Sequence, residues 1–574
     1  MLDACRAQNL SAYGYERPTS PNIDALAKRG ALFEKNYSQA STTTLSLPSY
    51  MSGRFFPVAC ITGNWGQLNW RQLFRTPPAD EKLVTEIFGE NGYHTEIVTS
   101  HPWFGPETRL VKSADHCVYI PAPGRGHADF ELMNQEVFRF LDQRPADKPF
   151  FLYMHTMDTH FPHFVRPGHD EWIDKAYAGN PAPTDPMYAK KPENEQDKAL
   201  LRGLYDGGIH YADAQVQALL DKLAATGLAE NTIIVIGSDH GECLGEDGET
   251  IEHPPQFNYE ELVHVPFIIA GPGIPQGKRI SAFSQNADIV PTLVDLLGLK
   301  TEARFDGESQ VPALRGDATP VLDYAVGRWP RGEDDYLHYV SLRNDAYRYE
   351  YHPFYKQGDL WKFPDHVDKR EKLPEGSPDA ATMRAYIEQN ILPKWDAYLA
   401  LPHDSPRVFS ASIAPRQAIP SEGFKWDSTD DDNVWQLQPN ILRSVSTKED
   451  CPPIQFKYEV PNGMYQILVE LKPKDTGASI QLKAEQDAAF KPITSTAVEK
   501  LREFLDIGIY TISDEAFDVT IDDVDRRFNA EVISFLFVPI IDGEPMEYAD
   551  DLEARNEQLG GLGYMGNTIH EPVQ

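Results

Sequence analysis

Apolar positions over the first three hundred residues switch repeatedly between a helical and a strand period. Residues Pro21 to Gly30 read as a helix closed by a C-terminal glycine. His94 to Thr99 and Lys148 to His155 read as short strands, and 197–226 is a long amphipathic segment ending near Gly227. Thr232 to Gly237 is rich in β-branched residues, the composition of a strand buried on both faces. Strands separated by helices predict a parallel α/β sheet, with ligand sites where its strands end. Residues 178–197, rich in Pro, Asn and charge, predict an excursion over the surface. From 325 to 400 the chain is aromatic and mixed, and 402–452 is Pro-rich and acidic, as at Asp427 to Asp432. Strand-like runs then dominate (Phe456 to Val460, Met464 to Leu471, Val532 to Pro539) and predict an all-β sandwich.

Length adds a count of units. At 574 residues the chain exceeds one ordinary core, and ~150 residues per domain suggests three or four. The expected division is an α/β unit over 1–325, its C-terminal subdomain over 326–404, a β-sandwich module over 405–545, and a tail over 546–574 returning to the core. Hydrophobic residues at 41% exclude wholesale disorder. The net charge of −34 repels phosphate backbones and anionic lipid, so neither nucleic acid nor a membrane surface is an expected partner. An anionic substrate then requires a local metal or basic pocket. The cysteines at 5, 60, 117, 243 and 451 form no CxxC pair, which argues against a zinc knuckle or disulfide framework. No run approaches the ~18 apolar residues of a spanning helix. Met1 to Arg6 lack signal-peptide character, so a soluble, cytoplasmic protein is the expectation.

Three clusters carry chemistry. Ser238-Asp239-His240-Gly241-Glu242 follows the strand at 232–237, where an Asp and a His can reach one divalent cation. The plainer alternative is a loop Asp capping a helix beside a surface His. Asp3 stands where a first strand should end. Ser41 to Ser49 places several hydroxyls at the start of a short helix, whose free N–H groups suit a tetrahedral anion. Beside a metal such a hydroxyl is acidified toward a nucleophile, and without one it is an N-cap.

Asp3 to Ala7, Leu10 to Tyr15, Thr19 to Ala27 and Tyr37 to Arg54 together resemble the opening of a sulfatase-like member of the alkaline phosphatase superfamily. Met157 to Pro162 is similar to its Asp-x-His-x-Pro element, and Asp239 to Glu246, His253 and Val265 to Gly273 continue the series to about 315. The tail Leu559 to Gly566 is similar to a sulfatase ending. The resemblance implies an alkaline-phosphatase/sulfatase-like doubly wound α/β sheet, here with an added C-terminal β-sandwich. It implies one divalent metal (calcium, manganese or zinc) held by Asp3, Asp239, His240 and the nucleophile. His160 and His253 would contact the ester oxygens or protonate the leaving group, and His101 would bind substrate. The implied substrate is a small or glycan- or lipid-linked anionic ester.

Three departures refine this. The family's paired Asp is single here, with Ala4 in second place. Its first core strand would precede Asp3, where only Met1 and Leu2 stand; a misplaced start or a truncated chain is the expected explanation, so a signal or anchor could precede Met1. Counting ten residues back from Gly53 puts Thr43 at the nucleophile position and Leu47 where the motif Arg belongs, with Thr44, a substrate-contact candidate, and Ser46 as alternatives to Thr43. Threonine cannot become formylglycine. The expectation is therefore a metal-dependent hydrolase or transferase of phosphate mono- or diesters with Thr43 as nucleophile. The alternatives are a sulfuric ester hydrolase without formylglycine, and a degenerate, non-catalytic binding protein on the same fold.

Overall fold

The structure, a computed structural model, describes residues 1–55, 82–101, 113–120, 129–177, 192–248, 250–254, 258–317, 321–329, 339–352 and 357–394 except 365 and 375. Beyond 411 it describes the strands named below, with 485–490 and 513. Strands β1 (Gly30–Tyr37), β2 (His94–Thr99), β3 (His116–Tyr119), β4 (Phe150–His155) and β5 (Ile234–Gly237) are followed by a small β6 (Cys243–Leu244) and β7 (Ile251–Glu252) pair, then β8 (Phe267–Ala270) and β9 (Lys278–Gln285). Helices α1 (Pro21–Lys28), α2 (Thr43–Ser52), α3 (Val84–Glu90), α4 (Phe130–Gln143) and α5 (Glu195–Ala225) pack around them. In α4, Phe130, Met133, Val137 and Leu141 are buried at helical spacing, which turns one stripe onto the sheet.

Two blocks make the central sheet. One is β3-β2-β4, all parallel, and the other is β5-β8-β1-β9. Met1–Asp3 stands between them. Leu2 N–H donates to Gly237 O at 2.9 Å, Asp3 N–H to Thr156 O at 2.9 Å, and Thr156 N–H to Met1 O at 3.1 Å. Asp3, His155 and Ser238 therefore all emerge at one edge of the sheet, side by side.

The sheet is mixed rather than parallel, because β8 runs antiparallel to both β5 and β1. The loops carrying Asp239, His240 and His253 leave β5 and return at that same end, so the next strand must run the opposite way. Gly30 does not close α1 as a C-terminal glycine. It opens β1, where a Cβ would lie 2.1 Å from the Ile269 carbonyl oxygen, so only glycine lets β1 meet β8 there. Nor is β5 buried on both faces throughout: Ile234 and Val235 are half-buried, against a cavity of about 740 Å³ lined also by Phe88, Phe151 and Leu293.

The long segment expected at 197–226 is α5, closed by Gly227 in the left-handed region. Within it, Gly208 has no room for a Cβ, which would lie 2.5 Å from the Asp158 carbonyl oxygen. That close approach seats the loop carrying His160 on the helix backbone. The aromatic stretch after 325 is a four-stranded antiparallel sheet, β10 (Ala325–Trp329), β11 (Tyr339–Arg343), β12 (Tyr347–His352) and β13 (Gln357–Lys362). Farther on, one antiparallel sheet orders Trp435–Gln438, Ile441–Ser444, Ala530–Pro539, Gly463–Pro473 and Glu503–Ile512, with Ser412–Ile413 on Ala530–Pro539. A second orders Ile419–Pro420, Ile454–Glu459, Ala516–Asp522, Ser479–Ala484 and Lys491–Thr494. These sheets fit a β-sandwich module. Residues 178–191, Asp427 to Asp432 and the tail at 546–574 lie outside the described residues.

Candidate active site

The site begins with a strained turn. Ala4 directly follows Asp3 and holds a φ of 55°, a left-handed conformation that costs a non-glycine residue about 1 kcal/mol. The turn aims the Ala4 amide at Asp239 Oδ1, 3.4 Å away, so a backbone donor faces that carboxylate where the family's second Asp would stand. Tyr205 fixes the turn from α5: its hydroxyl donates to Ala4 O at 2.7 Å and accepts the Arg6 amide at 2.9 Å. On the other side, Asn286 Nδ2 donates to Ser238 O at 2.8 Å and holds the loop after β5.

Asp3, Asp239 and His240 are fully buried, and their potential ligand atoms lie within 4.8 Å of one another. His240 Nδ1 lies 2.8 Å from Gly241 O, which can only accept, so Nδ1 carries the hydrogen and Nε2 presents a lone pair. That nitrogen is 3.5 Å from Asp3 Oδ1 and 3.5 Å from Asp239 Oδ2, and neither oxygen has a hydrogen-bond donor among the described residues. A single proton could serve one of these oxygens at a time. A divalent cation at their centre satisfies them together, and oxygen with imidazole suits manganese or zinc, while the carboxylates alone suit calcium. The electrostatics agree: burial and the Asp239 charge push the Asp3 carboxyl well above its usual range. Burial also works to raise Asp239, but the His240 and His155 imidazoles, the Thr43 hydroxyl and the Ala4 amide outweigh it and hold it low.

Thr43 is the first residue of α2, after Thr42 in extended conformation. Its Oγ1 is 3.1 Å from His240 Nε2, and its single hydrogen can go either to that lone pair or to the Asp239 carboxylate, which the hydroxyl helps to hold low. It faces the carboxylates rather than capping the helix. Ser46 turns away, donating to Thr43 O at 3.5 Å. Leu47 is fully buried in the apolar core, so it brings nothing polar to the site.

His160 and His253 form the opposite wall, with ring centroids 4.7 Å apart; His253 lies 4.5 Å from His240. His160 Nδ1 bonds Phe161 O, which leaves its Nε2 as the proton-accepting atom. Glu242 lies behind, its Oε1 3.9 Å from both His253 Nδ1 and His163 Nε2. Burial, reinforced by the Glu252 charge, pushes Glu242 well above its usual range. Burial pulls His160 and His163 down to about 3 and His155 down to about 4. Burial thus favours the neutral form of these three imidazoles.

A stability test follows. Below about pH 6.5 an unfolded His takes up a proton that folded His163 refuses until about pH 3. The wild type should therefore lose stability relative to His163→Gln as pH falls through that window, by on the order of 1 kcal/mol per pH unit. Urea denaturation of both proteins across the window checks this, and a constant difference would refute it.

A family model described as "Sulfatase" matches residues 1–299. The chain belongs to the sulfatase family. A choline-sulfatase from Rhizobium meliloti is 26% identical over 453 residues, covering 70% of this chain and 85% of the relative. A sulfatase from Formosa agariphila is 30% identical over 437 residues, covering 66% and 83%. The fold matches that of the phosphonate monoester hydrolase of Agrobacterium radiobacter with a TM-score of 0.52, at 19% identity, over 69% of this chain and 94% of that one. This sulfatase-family chain is thus an enzyme, a hydrolase of the alkaline phosphatase superfamily.

Of the residues singled out in the sulfatase-family sequence, Asp3, Thr43, Asp239 and His240 converge, with His160 and His253 beside them. His101 is buried 3.5 Å from Asp3 Oδ2, whereas His240 faces Asp3 Oδ1. Thr44 belongs to α2, but its side chain lies outside the described residues. Sequence reasoning missed His155, whose Nε2 is 2.8 Å from Asp3 Oδ2. The signal was its position as the last residue of β4, where polar groups enter the site. It also gave Glu242 and His163 no role. Among the described residues, no helix is long and apolar enough to cross a membrane.

Proposed function

We propose that this sulfatase-family enzyme hydrolyses phosphate mono- or diesters through unmodified Thr43, with a divalent cation held by Asp3, Asp239, His240 and the Thr43 oxygen. The observation that carries the proposal is the Thr43 hydroxyl, at the start of α2, between the Asp239 carboxylate and the lone pair of His240 Nε2. When bound, the cation supplies Lewis acidity toward the ester oxygens and favours the alkoxide form of Thr43. Thr43 Oγ1 attacks phosphorus from the helix N-terminus, where unpaired N–H groups favour an anion. The bond from phosphorus to Oγ1 forms as the bond to the leaving oxygen breaks, and the hydroxyl proton leaves toward its carboxylate partner. His160, neutral at rest, gains a proton on Nε2 as the substrate's negative charge enters, and passes it to the leaving oxygen. Water then cleaves the phosphothreonine: its oxygen goes to phosphorus, one hydrogen restores the Thr43 hydroxyl, and the proton held on the carboxylate returns to solvent, balancing the one His160 took up.

Two features favour phosphorus over sulfur. The β-branched alcohol of Thr43 offers no route to an aldehyde hydrate, so it cannot expel sulfate as formylglycine does. A phosphoryl group in transit carries more negative charge than a sulfuryl group and gains more from a cation and a helix N-terminus. The names of the sulfatase relatives favour the competing reading, a sulfate ester cleaved without formylglycine. Matched phosphate monoesters, phosphate diesters and sulfate esters of one leaving group, assayed with calcium, manganese and zinc, separate the two. Faster turnover of a phosphate ester is expected. Faster turnover of the sulfate ester, by protein whose Thr43 is shown unmodified by mass spectrometry, would overturn the phosphoryl reading.

A further inference from the structure

We propose that Asp3 is shared between two divalent cations, the second held by Asp3, His101 and His155. This deepens the metal reading above and rests on it.

The two oxygens of Asp3 head different donor sets. Oδ1 faces His240 Nε2 at 3.5 Å, within the group already described. Oδ2 faces His155 Nε2 at 2.8 Å and His101 Nε2 at 3.5 Å. The potential ligand atoms of this second group also lie within 4.8 Å of one another, and all three side chains are fully buried. The sheet explains the convergence: β2, β4 and Met1–Asp3 are adjacent, and His101, His155 and Asp3 stand at or just beyond their ends. The His101 amide donates to Thr99 Oγ1 at 3.0 Å, which fixes its backbone just past β2.

His155 is oriented from behind. Its Nδ1 is 3.0 Å from the Tyr153 hydroxyl. With Nδ1–H donating to that oxygen, Nε2 keeps a lone pair directed at the Asp3 side, the orientation a ligating histidine receives from an outer partner. Two imidazoles and a carboxylate form a donor set suited to zinc or manganese.

Charge gives the second cation a function. The ion-pair partners of Asp3 and Asp239 among the described residues are all histidines. Leu47, at the motif arginine position, is buried in the apolar core. Two carboxylates offset one divalent ion, which leaves little net attraction for an anion. A second ion leaves a net positive site, and a pair of metals bridged by a carboxylate can stabilise both the attacking and the leaving oxygen of a displacement. The competing arrangement has Nε2–H of His155 donating to Asp3 and holding it for a single metal.

Metal content separates the arrangements without recourse to turnover. The full chain is stripped with chelator, reloaded with manganese, desalted, and measured by elemental analysis and electron paramagnetic resonance. Two ions per chain with an exchange-coupled spectrum are expected. His101→Gln and His155→Gln should each reduce this to one ion with an isolated six-line spectrum. One ion per chain in the wild type, with an uncoupled spectrum, would overturn the shared-Asp3 proposal and leave the single-metal reading standing. Two ions unaffected by either His substitution would also overturn it. No bound ion at all would overturn both readings. The wild-type spectrum decides the matter even if a substituted protein fails to fold.

Discussion

Thr43→Ala is expected to abolish turnover, lowering kcat by roughly 10⁴-fold or more, as loss of a nucleophile within a catalytic unit does. Thr43 is the first residue of α2, with its hydroxyl 3.1 Å from His240 Nε2 and acting on the Asp239 carboxylate. Removing the hydroxyl deletes the attacking atom, whereas the backbone of α2 and its buried Leu45 and Leu47 contacts remain. The variant should melt close to the wild type. Thr43→Ser keeps the oxygen and should retain substantial activity. Ser46→Ala should be nearly silent, because that hydroxyl is committed to Thr43 O. Steady-state kinetics on the best phosphate ester check all three. Full activity in Thr43→Ala with a dead Ser46→Ala would move the nucleophile within α2 and leave the rest of the chemistry in place.

Asp239→Ala and His240→Ala should each abolish tight metal retention at the site they form with Asp3. The loss should exceed the roughly 10–100-fold drop in affinity that follows removal of an outer partner of a metal ligand. Both side chains emerge beyond β5 into the polar cluster rather than the apolar core, so the fold should survive. Asp239→Ala also removes the charge that, after burial, does most to raise the Asp3 carboxyl, which relieves a repulsion in the metal-free protein. The sharpest readout is thermal unfolding with and without metal. A ligand at a hundred times its Kd adds about 2.7 kcal/mol, and the increment due to the Asp3, Asp239 and His240 site should vanish in both variants. Undiminished metal stabilisation in both would remove Asp239 and His240 from the site.

The order of chemistry along the chain was legible in the sequence because it depends on local rules. An Ile/Val run followed by Ser-Asp-His marks a strand end, and the hydroxyl run Ser41 to Ser49 marks the start of a short helix. Those rules placed Asp239 and His240 beyond β5 and the hydroxyls on α2, closed by Gly53 at a φ of 71°, while Thr43 was singled out among them by the register of the sulfatase resemblance. The extents of β2 and α5 followed from period and end signals in the same way.

Tertiary structure decided whatever depends on distances between segments remote in sequence. Gly30 satisfies the local signal for a helix end, yet its role is set by the Ile269 carbonyl across the sheet. The direction of β8 follows from where its connection returns, which period cannot encode. His155 looks like any strand residue until Asp3, 152 positions earlier, is brought to 2.8 Å. Which Asp3 oxygen faces which imidazole was likewise beyond the sequence, because it is fixed by the Ala4 turn, the Tyr205 hydroxyl and the adjacency of β4 and Met1–Asp3. A sequence orders donors along one dimension, and a metal selects them by separation in three.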